Sequence, residues 1–305
     1  MKYSITPLSG LGNIVIELIG FYHLLKKSGI NPYTQVEIPD WRDNIRETNM
    51  YYGGHPRQKF RHLGLVFPKI NYQFVQKSLK DPDVNLTLHF AQNDYHGDEL
   101  LIVSQLTSDP KTKYTVVLGW FFHPFYRLSF REEIIRWLEF GPEVREDVHK
   151  FFWDNSISPS RTVSFHNRLG SPGDGFDTVN IKSSDHAKAL QYLKYLYPEL
   201  DTVLVCSESR EKFEAYFPAE NFPELGYRYI FYDSDAENCL YAMKECAHHL
   251  ISNSTLSYSV LYLDEKFPQK SLAIGTHFEY ISPHFLNPEF ISKDRKTGLL
   301  HVNKL

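Results

Sequence analysis

From Arg161 to Gly275 the chain alternates strictly between short apolar runs and amphipathic stretches. "RTVSFH" (Arg161 to His166), "TVLVCS" (Thr202 to Ser207), "YRYIFYD" (Tyr227 to Asp233), "LISNS" (Leu250 to Ser254) and "SLAIG" (Ser271 to Gly275) read as strands. Between them, "SDHAKALQYLKYLYP", "SREKFEAYF", "DAENCLYAMKECAHH" and "TLSYSVLYLD" read as helices, the first capped by Ser184 and stopped by Pro198. Ser234 with Glu237 can form a capping box on the third. Strands alternating with helices over short connections imply βαβ units and a parallel sheet. Sheets of this kind bind ligands outside the carboxyl ends of their strands. The loops after "VSFH", "LVCS", "IFYD" and "LISN" are therefore where chemistry is expected.

The first half opens the same way and then loses regularity. "KYSIT" (Lys2 to Thr6) alternates like a strand, and a Gly-x-Gly-Asn turn follows at Gly10 to Asn13. A helix is expected from about Asn13 to Ser28, because Ile14, Leu18, Phe21, Leu24 and Leu25 recur at three- and four-residue spacing. Lys26 and Lys27 sit in its last turn, and Gly29 suits the residue just past the end. "QVEIP" and "LTLHFA" are short strand candidates, and "KYTVVLGWFF" (Lys113 to Phe122) is a strong buried one. "SFREEIIRWLEF" and "PEVREDVHKFFW" then read as two helices separated by Gly141, with Ser129 and Glu132 as a capping box. The polar, proline-containing "DNSISPS" (Asp154 to Ser160) marks the expected domain boundary. It divides the chain into residues 1–156 and 157–305.

Composition narrows the classes. Apolar residues make up 42% of 305, enough for a sizeable core rather than global disorder. The net charge of −4 offers no basic excess for nucleic acid or an anionic membrane. Three cysteines, Cys206, Cys239 and Cys246, lack CxxC spacing, so neither a disulfide framework nor a zinc site is expected, and a reducing cytoplasm fits. The first residues lack the apolar core of a signal peptide, and no apolar run approaches the length of a membrane span. No HExxH, GxSxG or Walker loop occurs.

Four constellations lie at the strand ends. "HNRLGSPGDGFDT" (His166 to Thr178) joins His166, Arg168, three glycines and Asp174. Arg presents a planar fork that suits a diphosphate, and glycines admit close backbone approach; an ordinary Gly/Pro surface loop is the plainer alternative. "SNSTLS" gathers Asn253, Ser254, Thr255 and Ser257 at a helix N-terminus. Free N–H groups and hydroxyls there make a phosphate site, whereas simple capping needs one such residue. Ser207 and Glu208 end another strand, placed to read a nucleobase or ribose or to cap the next helix. Asp233 and Asp235 form an Asp-x-Asp, which either holds a divalent ion or starts a helix.

In order, these pieces resemble one family. "SGLGNIVIELIGFYHLLKKSG", "LGWFFHPFYRLSFREEIIRWLEF", "VSFHNRLGSPGD", "LVCSESREKFEAYF" and "CAHHLISNSTLSYSVLYL" resemble successive segments of the α-1,2-fucosyltransferases, glycosyltransferase family 11. The resemblance implies an α/β, GT-B-type fold, two Rossmann-like domains with a donor cleft between them, the carboxy-terminal one holding GDP-fucose. It implies that Arg168 pairs with the diphosphate and stabilises the leaving group. Ser254, Thr255 and Ser257 would donate to the phosphate oxygens, with Asn253, His166, Asp174, Ser207 and Glu208 around the nucleotide. Gly10, Gly12 and Asn13 would close on the donor from the other domain. Transfer to a glycan hydroxyl would be inverting and metal-independent, with no cofactor, in a soluble bacterial or viral enzyme. The chain departs from the family pattern at Ile14, Leu169, Glu208, Ser209, Tyr258 and Ser259. The base is not fixed by any motif; Asp40, Asp43, Glu47 and His55 are candidates by location. The alternatives are a metal-dependent GT-A transferase using Asp233 and Asp235, and a non-catalytic glycan-binding protein.

Overall fold

The structure, a computed structural model, describes residues 2–5, 10–35, 38–40, 63–70, 72–76, 84–91, 114–121, 130–167, 183–207, 209–218, 225–252, 254–266, 273–276, 291–293 and 300–302. The chain forms two compact units, Met1–Gly141 and Pro142–Leu305.

In the first unit, β1 (Lys2–Ile5) leads to α1 (Leu11–Lys27), α2 (Pro32–Gln35), β2 (Ile38–Asp40), α3 (Leu63–Val66), β3 (Tyr72–Gln76), β4 (Val84–Ala91), β5 (Tyr114–Phe121) and α4 (Arg131–Trp137). β5 pairs in parallel with both β1 and β4, giving a three-stranded sheet in the order β1-β5-β4. β2 and β3 form a separate parallel pair. The turn before α1 is the helix's own start. Gly10 is the N-cap in extended conformation, and its carbonyl accepts the N–H groups of Asn13 and Ile14 at 3.0 and 3.1 Å.

The helix is buried on all sides from Ile14 to Leu25, Glu17 and His23 included, rather than along the single stripe its periodicity suggests. Its end is a complete Schellman motif. Gly29 takes φ +70°, its N–H donates to Lys26 O, and the Ile30 N–H donates to Leu25 O at 2.8 Å.

Ser129 of the expected Ser129/Glu132 capping box lies outside the described residues; α4 starts at Arg131 behind Phe130, which holds a left-handed φ of 62° and supplies no side-chain cap. Trp137 of α4 packs on Tyr22 of α1 at 5.0 Å between ring centroids, and Glu133 pairs with Lys26 at 2.7 Å. Gly141 closes the unit against α3, its N–H donating to Val66 O at 2.8 Å.

The second unit begins with α5 (Pro142–Asp154). It continues through β6 (Thr162–Asn167), α6 (Ser183–Leu196), β7 (Thr202–Ser207), α7 (Arg210–Tyr216), β8 (Arg228–Phe231), α8 (Ala236–Glu245), β9 (His248–Ile251) and α9 (Thr255–Leu263). β10 (Ala273–Thr276), β11 (Ile291–Lys293) and β12 (Leu300–Val302) complete it. The seven strands lie in the order β12-β11-β10-β9-β6-β7-β8, all parallel except β12. Val163, Phe165, Val203, Val205 and Leu250 form one core face with Ala189, Leu190 and Leu193 of α6 and Phe213 of α7.

α5 packs on α8, with Phe151 stacked on Tyr232 at 4.1 Å and the Tyr241 hydroxyl 3.3 Å from His149 Nε2. Those contacts carry residues 142–154 with the second unit, so the structural division falls at Gly141 rather than after residue 156.

Two local readings are corrected. The helix drawn to His249 ends at Glu245, because Cys246 is extended and His248 and His249 belong to β9. The Lys266 ammonium closes that helix end, donating to the carbonyls of Lys244, Glu245 and Cys246 at 2.9, 2.9 and 2.7 Å. The N-cap of α8 is Asp235, not Ser234. Ser234 Oγ accepts from Asn238 Nδ2 at 3.0 Å instead, and Glu237 is fully buried.

Candidate functional site

Topology selects one place in the second sheet. The chain builds outward from β6 to β7 and β8, then returns to add β9, β10 and β11 on the other flank of β6. The strand order therefore reverses between β6 and β9, and a crevice opens at such a switch point outside the carboxyl ends. The residues there are His166 and Asn167 at the end of β6, Ser252 after β9, and the first turn of α9.

Three of these side chains meet inside the protein. His166 Nδ1 lies 2.7 Å from Ser257 Oγ and 3.4 Å from Ser252 Oγ. The Ser252 N–H donates to the same Ser257 oxygen at 3.2 Å. Ser257 is fully buried, so its hydroxyl is committed to the imidazole and to the β9–α9 turn. Ser254 is the N-cap of α9, its Oγ accepting the Leu256 N–H at 3.3 Å while its own proton stays free to donate. Thr255 begins the helix and is half-buried. The first-turn N–H groups carry the positive end of the helix dipole, which suits an anion.

A second network pins the far end of α9. Ser164 Oγ is 2.9 Å from His249 Nδ1, and His249 Nε2 is 3.0 Å from Asp264 Oδ2. Asp264 Oδ1 accepts the Lys266 N–H at 2.9 Å. Asp264 is a carboxylate acceptor, so Nε2 carries the proton toward it and Nδ1 can accept from the serine. A Ser–His–Asp sequence of this kind invites comparison with a hydrolytic triad. Here the serine is mid-strand and 2% exposed, and the histidine and aspartate are at 0% and 1%, so no substrate reaches it. The array is a buried strut.

The neighbouring titratable groups are equally enclosed. Burial, with His249 and Lys266 nearby, pulls the His248 pKa down to about 4, and its ring stacks on Tyr197 at 4.0 Å. The three thiols are free and buried. A hydrogen bond with Cys239, and burial, push the Cys206 thiol well up; burial does the same to Cys246. Neither is a thiolate nucleophile at neutral pH.

Of the residues singled out from sequence, the structure joins His166 and Ser257 directly and sets Ser254 and Thr255 beside them. Ser207 ends β7, opposite Asn167 in register. Arg168, Asp174, Glu208 and Asn253 lie outside the described residues, as do Asp43, Glu47 and His55. In the first unit, Gly10, Gly12 and Asn13 form the start of α1, and Asp40 ends β2. Asp233 and Asp235 are exposed after the edge strand β8, away from the switch point, and the described residues hold no cluster of three metal-ligating side chains. Sequence reasoning missed Asn167 and Asp264, whereas His249 takes the buried, supporting place expected of the histidines beside that strand. The only local signal of the two missed residues is a polar residue closing or interrupting an apolar run.

The fold is α/β and of the GT-B type, shared with solved fucosyltransferases. Among solved structures, POFUT1 in complex with GDP superposes with a TM-score of 0.56 at 13% identity, over 89% of this chain and 98% of that one. Its complex with GDP-fucose gives 0.56 at 12%, over 89% and 97%. A mutant of FUT1 from Arabidopsis thaliana, in complex with GDP, gives 0.51 at 13%, over 93% and 72%. No protein-family model matches the chain, and no curated protein matches it by sequence. Among the described residues, no helix is long and apolar enough to cross a membrane.

Proposed function

We propose that the chain is a glycosyltransferase that moves fucose from GDP-fucose to a glycan hydroxyl, with inversion and without a metal. The observation that carries this is the switch point between β6 and β9. A helix N-terminus there presents Ser254 and Thr255, and His166 is held beside it by Ser257 and Ser252. Its support is the fold shared with POFUT1, whose structures hold GDP and GDP-fucose.

In this reading the diphosphate rests on the first turn of α9, where amide dipoles and the Ser254 and Thr255 hydroxyls offset its charge. Arg168, one residue beyond β6, pairs with the phosphates through its planar fork and stabilises GDP as it leaves. Asn253, Asp174 and Glu208 complete the donor contacts, and Gly10, Gly12 and Asn13 supply those of the first unit. A carboxylate or imidazole accepts the proton of the acceptor hydroxyl; Asp40, Asp43, Glu47 and His55 are the candidates to substitute. The three unpaired thiols accord with a reducing cytoplasm.

The test is nucleotide-dependent stability followed by transfer. GDP should raise the melting temperature saturably, UDP and ADP much less. Arg168→Ala should abolish that response at unchanged ligand-free stability. Release of GDP from GDP-fucose should persist in EDTA. Absence of a response to any nucleotide would sink the transferase reading, and loss of activity in EDTA would replace it with a metal-dependent one.

A further inference from the structure

Asn167 and Ser207 close the adjacent parallel strands β6 and β7 as register partners. Side chains alternate along a strand. Asn167 therefore shares the face of Val163 and Phe165, and Ser207 that of Val203 and Val205. This face is opposite to the one on which His166 meets Ser257. Asn167 is 5% exposed, yet its Nδ2 has no hydrogen-bond partner among the described residues; the Ser207 hydroxyl is buried and likewise has none. A buried donor left without an acceptor is costly, and native interiors almost always satisfy such groups. The fold itself does not need polar groups here, because lower on the same face both strands are apolar.

Both orphaned groups lie at the carboxyl edge of the parallel sheet, where ligands bind. They sit about one and two strand spacings, roughly 4.8 Å each, from β9, whose end leads into the N-terminus of α9. A ligand whose anionic part rests on that N-terminus can lay a neutral part across β6 and β7. An uncharged amide and hydroxyl suit uncharged heteroatoms rather than phosphate. In a nucleotide sugar the sugar end has to stay open to the acceptor, whereas the nucleoside end can be enclosed. We propose that Asn167 and Ser207 bind the nucleoside half of the donor and select for it, Asn167 Nδ2 donating to one of its acceptors and the Ser207 hydroxyl completing a second bond. The inference rests on the nucleotide-sugar reading above and adds a specificity-determining pair to it.

Calorimetric titration of the full chain with GDP and with inorganic pyrophosphate tests it, using Asn167→Leu and Ser207→Ala. Each variant should weaken GDP binding about fivefold to tenfold and leave pyrophosphate binding unchanged. Asn167→Leu, which removes the orphaned donor at similar volume, should melt no lower than wild type without ligand. GDP affinity within twofold of wild type for both variants overturns the proposal, and so does an equal loss for GDP and pyrophosphate. If Asn167→Leu fails to fold, its amide is structural, and Ser207→Ala alone decides by the same GDP criterion. Wild-type protein that binds no GDP overturns the donor reading itself, and the pair's role with it.

Discussion

At Gly141 a single hydrogen atom decides whether two segments can meet. A Cβ there would stand 2.0 Å from the carbonyl oxygen of Leu65, a backbone atom that cannot swing aside. Gly141→Ala should therefore lower stability by about 1–3 kcal/mol through forced displacement of α3. A drop of several degrees in melting temperature would register it; an unchanged melt would show that α3 yields to the added methyl without cost. His248 argues the same scale through charge. Its pKa falls from 6.5 in the unfolded chain to about 4 in the fold, mainly by burial. Above about pH 6.5 both states are neutral and the contribution is complete. As pH falls from 6.5 toward 4 the unfolded state gains a proton that the native state refuses, and up to about 3 kcal/mol is lost. His248→Phe keeps a ring against Tyr197 and removes the titration. Its melting temperature should fall less than that of wild type between pH 6.5 and 4; parallel curves would refute the assignment.

Helix α9 shows why some elements are legible in sequence and others are not. β7 falls where the sequence puts it, Thr202 to Ser207, because a strand buried on both faces reads as one apolar run. β9 was obscured by His248 and His249, whose partners, Tyr197, Ser164 and Asp264, are distant in the chain. The same long-range bonds hold α9. Its apolar residues, Tyr258, Val260, Leu261 and Leu263, pack without specifying rotation about the axis. The His166–Ser257 bond near its start and the Asp264–His249–Ser164 strut at its end supply the direction. Serine, threonine and glycine at the strand ends pointed to the candidate site from sequence alone; the struts beside it were not legible, because no local pattern encodes a partner 85 residues away. Asp264→Ala leaves His249 Nε2 and the Lys266 N–H without their acceptor and should cost about 3 kcal/mol or more. Ser164→Ala removes one terminal hydroxyl and should cost about 1 kcal/mol. Urea denaturation that ranks the two the other way would show that the strut ends at His249 rather than passing through it.

For the molecule as a whole, the seven-stranded sheet offers two carboxyl-edge regions with opposite implications. One is the switch point, where β6, β9 and α9 converge; the other is the end of edge strand β8, with Asp233 and Asp235 exposed. They are two strands apart, since β7 separates β6 from β8, so a ligand footprint can tell them apart. Hydrogen exchange of the full chain with saturating GDP should slow the amides of residues 252–258 and those at the ends of β6 and β7. Residues 232–236 should exchange as in the free protein, and Mg²⁺ should change nothing. Binding free energy is shared with every opening that breaks the site, so at 100 times Kd protection should rise by about 2.7 kcal/mol there. Slowed exchange at residues 10–14 of the first unit would further support donor contacts from Gly10, Gly12 and Asn13. A footprint centred on residues 232–236 and dependent on Mg²⁺ would move the chemistry to the aspartates and make the switch-point network purely structural.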